Sequence, residues 1–407
     1  MRGVYTLAIR TYALGVKLAA LFGNTKARQW VEGRKAFPVA ALGDDPWIWF
    51  HAASLGEFEQ GRPLIEAIKA SHPEIKICLS FFSPSGYEIR KSYPLADEVL
   101  YLPIDTPANA QQWVNRHHFI AAFFIKYEFW FNYMKAVADN GIPLFYISLI
   151  LRPDQYFFKP LGRWFLKQLK AVTHFFVQDQ TTFNLLNGSG YHNTTLCGDT
   201  RFDRVAAIAR QAKRFPEVEA FLNGRACIVA GSTWPPDESL LIPYAQQLPA
   251  THVLIIAPHD ISAKHLQQLT AKLDDYQLYT ELNPNKKCKI LVINTIGILS
   301  QLYQYADFAY IGGGFGVNIH NIQEPVTFGC PVVFGPRYTQ FKEAVDLVRL
   351  GGAFTINGRD ELSLIFDRLI QDPLFASKAS ETGKDYLASQ LGATEAIMKG
   401  ITSIFSA

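Results

Sequence analysis

The stretch of residues 307–336 restricts the fold more than any other part of this 407-residue chain. It contains an apolar run (308–311), three glycines, a segment with helix-start features from His320 to Pro325, and a second apolar run that ends at Phe334. A buried strand, a glycine turn, a helix and another buried strand together predict a βαβ unit. A βαβ unit requires parallel strands, so the stretch predicts a parallel sheet.

The same stretch has features that suit a ligand. Its glycines allow a ligand to approach the backbone closely, and a helix N-terminus offers free N–H groups to an anion. Glu324 lies one turn into the predicted helix, where its carboxylate could bind a pair of sugar hydroxyls. The alternative is a glycine-rich turn in an ordinary α/β sheet without a ligand.

Apolar runs alternate with helical segments along the rest of the chain. The predicted strands are 47–51, 75–82, 98–102, 118–125, 143–149, 171–177 and 194–196, followed by 228–230, 253–257, 290–293, 308–311 and 331–334. This alternation predicts parallel, doubly wound sheets, and the length favours two domains. We therefore expect an α/β chain of two Rossmann-like domains with a boundary near residues 200–225.

Composition excludes several classes of protein. Apolar residues make up 49% and charged residues 18%, as in a globular protein and unlike a disordered one. The five cysteines are scattered without a CxxC pair, which argues against a zinc site or a disulfide framework and suits a reducing cytoplasm. The histidines lack metal-ligand spacing and no DxD motif stands in a loop, so we expect no metal.

The N-terminal segment, residues 1–35, is basic and apolar. The first 40 residues carry seven Lys or Arg and one Glu, a net +6 in a chain whose total is +3. Residues 4–22 are apolar but interrupted by Arg10 and Lys17, so no run reaches the ~18 uncharged residues of a membrane span. We expect a helix that lies on an anionic membrane surface. The alternative is a helix docked on its own domain.

A second basic segment, residues 152–170, interleaves five basic residues with five aromatic ones. This mixture is compatible with nucleic acid, but aromatic side chains also lie at the headgroup level of membranes. Because the N-terminus is also basic and apolar, we favour a lipid surface and expect no nucleic-acid partner. The alternative is an exposed basic helix that packs through its aromatic side chains.

Ligands of open parallel sheets bind beyond the carboxyl ends of the strands. Four predicted loops there carry polar groups: the turn with Ser54 and Gly56 before Glu57, the loop with Glu128, the pair Ser232 and Thr233, and residues 312–324. Glu57 begins a predicted helix, whose dipole favours a carboxylate. It is either a general base that faces a cleft between the domains or a lone surface carboxylate. Glu128, among aromatic residues, is either a paired core residue or a site residue.

Taken in order, these motifs resemble those of the bacterial Kdo transferases, which move 3-deoxy-D-manno-octulosonic acid (Kdo) from CMP-Kdo to the lipid A precursor. The matching segments span nearly the whole chain: HAASLGE at 51–57, EFWFN at 128–132, GDTRFD at 198–203, AGST at 230–233, GGGF at 312–315 and HNIQEP at 320–325.

The resemblance implies a GT-B fold with an interdomain cleft and an inverting, metal-independent transfer on the cytoplasmic face of the inner membrane. Its domains would be a membrane-associating segment (1–35), an acceptor-binding domain (36–210) and a CMP-Kdo-binding domain (211–407). No cofactor is implied; the partners would be CMP-Kdo, a lipid A precursor and an anionic membrane surface.

The resemblance also assigns residues. By position, Glu57 matches the catalytic base and Glu128 an acidic residue near the donor sugar or acceptor. The residues that match the donor-binding parts are Ser232, Thr233, Gly313, Gly314, Phe315, Asn321 and Glu324. His259 stands where the family often has an arginine that would hold the donor's carboxylate or phosphate. The alternatives are another GT-B enzyme that uses a UDP-sugar and a non-catalytic membrane-surface binding protein of the same fold.

Overall fold

The computed structural model describes residues 1–35, 45–159, 162–283 and 286–405. The chain divides into two compact units, Met1–Asp203 with Leu391–Ala407, and Arg204–Gln390. The predicted domain boundary at residue 36 lies outside the described residues.

Each unit contains seven described strands. They are β1 Pro46–Ala52, β2 Lys76–Phe81, β3 Glu98–Tyr101, β4 His118–Ile125, β5 Leu144–Leu149, β6 His174–Val177 and β7 Thr194–Leu196 in the first unit, and β8 Ala226–Thr233, β9 His252–Pro258, β10 Tyr276–Leu278, β11 Ile290–Val292, β12 Phe308–Ile311, β13 Val332–Phe334 and β14 Ala353–Thr355 in the second.

Helices connect most of these strands. They are α1 Arg2–Leu21, α2 Thr25–Glu32, α3 Leu55–Ser71, α4 Pro84–Arg90, α5 Pro107–Val114, α6 Phe131–Asp139, α7 Arg163–Gln168, α8 Gln180–Gly188, α9 Thr200–Arg210, α10 Pro216–Leu222, α11 Pro235–Gln247, α12 Ala263–Thr270, α13 Leu299–Leu302, α14 Gln323–Thr327, α15 Lys342–Leu350, α16 Arg359–Gln371, α17 Pro373–Gln390 and α18 Ala393–Gly400.

The two sheets have related topologies, which differ in that β11 lies between β10 and β9 in the second sheet. Strand order is β3-β2-β1-β4-β5-β6-β7 in the first unit and β10-β11-β9-β8-β12-β13-β14 in the second, and neighbouring described strands are parallel. The predicted fold class, two doubly wound parallel sheets, is confirmed. Strands β10 and β14, which the sequence did not predict, are three-residue strands at the sheet edges.

Strand β1 shows why the apolar runs lack alternation. Trp47 and Trp49 pack in one apolar cluster, whereas Ile48 and Phe50 pack in another. Successive side chains of a strand point to opposite faces, so both faces of this sheet are covered. A strand buried on both faces is apolar at nearly every position.

The C-terminal segment corrects the predicted domain division. Leu391–Ala407 belongs to the first unit, although the sequence assigned everything after residue 210 to the second domain. Ile397, Ile401 and Ile404 are buried in the cluster that also contains Phe58. The Asp203 carboxylate accepts hydrogen bonds from the backbone amides after residue 391, at 2.7 and 2.6 Å. Apolar burial therefore holds this segment on the first unit.

Helix α1 packs on the first unit through one face. The Tyr5 hydroxyl donates to Asp105 Oδ2 at 2.6 Å, and Arg2 donates to the carbonyl of Phe131 at 3.1 Å. Leu14 and Phe22, in contrast, are 58% and 90% exposed. Among the described helices, α1 is the one long and apolar enough to cross a membrane by length and composition, and 11% of it is buried.

The basic segment 152–170 packs through its aromatic side chains, as the basic-helix alternative predicted. Phe157 is 2% exposed, and Trp164 and Phe165 lie 5.5 and 5.4 Å from the Phe131 ring. Its basic side chains are exposed to solvent: Arg152, Lys159, Arg163, Lys167 and Lys170. The segment therefore presents cations from a well-anchored backbone.

Candidate functional site

In each sheet the candidate residues lie where the direction of the strand order reverses. This switch point falls between β1 and β4 in the first unit and between β8 and β12 in the second. Loops at a switch point diverge and leave a crevice at the carboxyl ends of the strands. At each point a non-glycine residue has a left-handed backbone, Lys126 (φ 65°) after β4 and Ser232 (φ 53°) in β8. Such conformations are concentrated at functional sites.

Glu57 lies in the first turn of α3, next to the end of β1. It is 8% exposed, and its Oε2 accepts a hydrogen bond from the hydroxyl of Ser54, the residue just before the helix. Gly56 is the second residue of α3 instead of part of a turn, and a Cβ there would meet only Ser54 Oγ, at 3.8 Å. The serine therefore orients the carboxylate, whereas the glycine is not required by crowding.

Glu128 follows β4 and is held by an indole. Trp130 Nε1 donates to Glu128 Oε2 at 2.9 Å and also to His51 Nε2 at 2.9 Å. Since His51 Nε2 accepts, the ring proton lies on Nδ1, which is 2.9 Å from Ser80 Oγ. His51 is fully buried and Glu128 Oε2 is 3.6 Å from its Nε2. The sequence did not single out His51, whose partners are far along the chain.

The two carboxylates share a neighbour. Burial, followed by the charges of Glu57 and Glu128, raises the pKa of Tyr127, and Arg152 lowers it. Charges act on a pKa at short range. Tyr127 therefore lies near both carboxylates and near Arg152 of the basic segment.

In the second unit, glycines allow two loops to approach. A Cβ at Gly312 would lie 2.2 Å from the carbonyl oxygen of Ser232, and a Cβ at Gly314 would lie 2.7 Å from the backbone of Gly335. Real Cβ atoms do not approach backbone atoms so closely. These glycines therefore bring the loops after β12 and β13 together with the end of β8.

Asp237, which the sequence analysis did not identify, fastens this turn. Its Oδ2 accepts from the amides of Gly313 and Trp234 at 3.0 and 2.9 Å, and its Oδ1 accepts from the Tyr310 hydroxyl at 2.7 Å. Burial raises the pKa of Asp237, and these hydrogen bonds lower it. The Gly313 amide is therefore not available to a phosphate. Gly314 and Phe315 have backbone amides that donate to no described residue.

Thr233 is turned away from solvent. It is fully buried, and its hydroxyl donates to Glu238 Oε1 at 3.2 Å. The same carboxylate oxygen lies 3.0 Å from His265 Nε2. Thr233 thus supports the turn from inside.

Beside the turn lies a cavity of about 270 Å³. Its lining contains three predicted residues and five that were not predicted as site residues: Ser232, Asn321 and Glu324, with Gly297, Leu299, Ser300, Tyr303 and His320. Asn321 Nδ2 donates to Glu324 Oε1 at 3.2 Å, which orients that carboxylate. The predicted residues Thr233, His259, Gly313, Gly314 and Phe315 are not part of the lining.

The short helix α14 differs from its prediction. It begins at Gln323, not at His320, and has five residues. The amide of His320 donates to the carbonyl of Gly312 at 3.1 Å, and the amide of Gln323 donates to Asn321 Oδ1 at 3.0 Å. The side chain of Asn321 therefore accepts from an amide at the helix start, where the sequence analysis expects amides to donate to an anion.

His259 is placed by stacking. Its ring lies 4.6 Å from the ring of Trp234 and 4.5 Å from that of His320, with interplanar angles of 25° and 23°. Burial and the charge of His259 lower the pKa of His320 to about 4. Within the four described ranges, no group of three His, Cys, Asp or Glu side chains is placed to hold a metal ion.

Comparison with known proteins gives consistent matches. A family model described as 3-deoxy-D-manno-octulosonic-acid transferase (kdotransferase) matches residues 20–204. A 3-deoxy-D-manno-octulosonic acid transferase of Chlamydia muridarum is 25% identical, with 85% of this chain and 83% of the relative covered. One of Bordetella pertussis is 25% identical, with 97% of each chain covered.

Among solved structures, UDP-GlcNAc 2-epimerase from Neisseria meningitidis bound to UDP-GlcNAc has a TM-score of 0.62. It is 14% identical, with 88% of this chain and 100% of that chain covered. This likeness concerns the fold of the two sheets.

Proposed function

We propose, from the premise that this chain belongs to the Kdo transferase family, that it moves Kdo from CMP-Kdo to a lipid A precursor. The chain is a glycosyltransferase, since the family model and relatives that cover most of its length are Kdo transferases. The observation that carries the proposal is the cavity at the second switch point. Ser232 converges there with Asn321 and Glu324, which lie much later in the sequence.

The second unit would bind the donor. Glu324, oriented by Asn321, suits the two ribose hydroxyls of CMP, because a carboxylate accepts both hydrogen bonds. The backbone amides of Gly314 and Phe315 donate to no described residue, so they would donate to the phosphate of CMP. Oriented N–H groups stabilise charge as it develops on a leaving group.

The first unit would activate the acceptor. The acceptor hydroxyl oxygen forms a bond to the anomeric carbon of Kdo while the bond from that carbon to the CMP phosphate oxygen breaks. CMP leaves with the electron pair, and the hydroxyl proton goes to Glu57. Oε2 of Glu57 accepts a hydrogen bond from the Ser54 hydroxyl, whereas Oε1 accepts none from a described residue. Oε1 is therefore the oxygen that takes the proton. We assign Glu128, held by Trp130, to contact with the sugar or the acceptor.

We further propose that the enzyme works on the cytoplasmic face of the inner membrane. The exposed apolar side chains of α1 alternate with exposed Arg10 and Lys17, a pattern that suits an anionic interface. The exposed cations of residues 152–170 belong to the same unit. The aromatic side chains of that segment are used in packing, so its contribution is electrostatic.

The test is transfer by Glu57→Gln with CMP-Kdo and a tetraacylated lipid A precursor, read by mass spectrometry. The variant keeps the shape of the side chain but loses the base, so we expect turnover to fall about 10²–10⁴-fold. CMP binding and thermal unfolding should match the wild type. Glu66→Gln, a change on the same helix far from the crevice, is the control. Near-normal turnover of Glu57→Gln would refute the base assignment.

A further inference from the structure

Three rings from three different loops meet beside the cavity of the second unit. Trp234 follows β8, His259 follows β9, and His320 follows the glycine turn. Trp234 Nε1 donates to His320 Nε2 at 3.1 Å. Both rings also stack on the ring of His259, with centroid distances of 4.6 and 4.5 Å. His259 therefore contacts both partners of the Trp234–His320 hydrogen bond.

This hydrogen bond decides where the proton of His320 lies. An indole N–H can only donate, so His320 Nε2 must be unprotonated. A neutral imidazole with an accepting Nε2 carries its proton on Nδ1. The low pKa of His320, about 4, keeps the ring neutral at cellular pH.

The orientation of the ring follows from its neighbours. The Cδ2 atom of His320 is 3.1 Å from the position of a Cβ on Gly313, and Nε2 is engaged by Trp234. His320 lines the cavity, and the ring edge that these two contacts leave free carries Nδ1 and Cε1. Nδ1 has no hydrogen-bond partner among the described residues.

We propose that Trp234 is a positioning residue that fixes His320 as a neutral Nδ1–H donor toward an oxygen of the bound nucleotide. His259 packs against both rings of this arrangement. The inference rests on the proposed donor site. The geometry assigns His320 one acceptor class, a phosphate or carbonyl oxygen, because the locked ring has a donor there and no acceptor.

The test uses Trp234→Phe in the full chain, which keeps an aromatic ring but removes the indole N–H. In protein labelled with ¹⁵N-histidine, wild-type His320 should show a protonated Nδ1 and an unprotonated Nε2. The variant should show two nitrogens that exchange the proton, since no hydrogen bond selects the tautomer. CMP affinity should fall about 5–10-fold, the effect of one hydrogen bond. His320→Asn assigns the signals and should weaken CMP to a similar extent.

Trp47→Phe is the matched control, because Trp47 stacks on His117 at 4.0 Å without a hydrogen bond to it. It should change neither the His320 signals nor CMP affinity. A protonated Nε2 in wild-type His320, or unchanged spectra and affinity in Trp234→Phe, would overturn the inference. Absence of CMP binding by the wild type would instead count against the proposed function, while the spectra, which need no nucleotide, still decide the tautomer.

Discussion

Single buried carboxylates hold several loops of this protein together. Asp105 accepts from the Tyr5 hydroxyl at 2.6 Å and from the backbone amides of Asn132 and Tyr133 at 3.1 and 3.0 Å. It therefore connects α1 and α6, the helix that begins after Glu128. Asp237 does the same for the glycine turn in the second unit. Each acid is a junction whose ionisation affects the elements it joins.

Burial raises the pKa of Asp105 to about 6, although the hydrogen bonds lower it. The pKa of Asp105 is higher in the folded than in the unfolded protein. Its favourable contribution to the free energy of unfolding is therefore present below the unfolded pKa and is lost as pH rises through about 6. The free energy of unfolding of the wild type, relative to that of Asp105→Asn, should fall by about 3 kcal/mol at most between pH 4 and pH 7. Urea unfolding across this range measures it. Exposed Asp139→Asn is the control, and parallel pH profiles for wild type and Asp105→Asn would contradict the expectation.

At the scale of elements, α1 has two different faces. Tyr5 and Ala13 face the first unit, whereas Leu7, Leu14 and Leu18 face solvent together with Lys17. A helix of 20 residues is about 30 Å long, so this face is extensive. Contact with lipid would remove the free-energy cost of exposing this apolar face to water.

We expect Leu14→Glu with Leu18→Glu to abolish binding to vesicles that contain anionic lipid, because charge replaces apolar area at the interface. Sedimentation with vesicles of phosphatidylglycerol and phosphatidylcholine measures this binding. Turnover with a detergent-solubilised acceptor should stay within about twofold of the wild type. Sedimentation of the double variant equal to that of the wild type would refute the membrane role of α1.

The elements also show what a sequence can predict. β4 and β12 were predictable because each is a run of apolar residues bounded by turn residues, and β14 was not because three edge residues carry too weak a pattern. The convergence of Ser232, Asn321 and Glu324 followed from their positions after strands. The partner of His320 could not be predicted, since Trp234 is 86 residues away and no periodicity relates them. Likewise, the start of α14 depends on how Asn321 turns its own side chain.

At the scale of the whole molecule, the first unit is made from both ends of the chain. Ile397 and Ile401 are fully buried among side chains from β1 and α3. Deletion of 391–407 should therefore destabilise the first unit by roughly 5 kcal/mol or more, since each lost isoleucine exposes apolar core. Hydrogen exchange should report faster exchange in β1 and β4 but not in β8 and β12. Lys399→Ala, an exposed change on α18, is the control, and unchanged protection of β1 after the deletion would contradict the prediction.

The return of the last segment to the first unit also fixes the order in which the protein matures on the ribosome. The strands of the first sheet emerge early but wait for their final helix until the whole second unit has been translated. At ~5–20 residues per second this delay is roughly 10–40 s. During it, the apolar surface that will receive Ile397 and Ile401 is open to chaperones and proteases. A premature stop codon anywhere in the second half of the gene would thus impair the half already made.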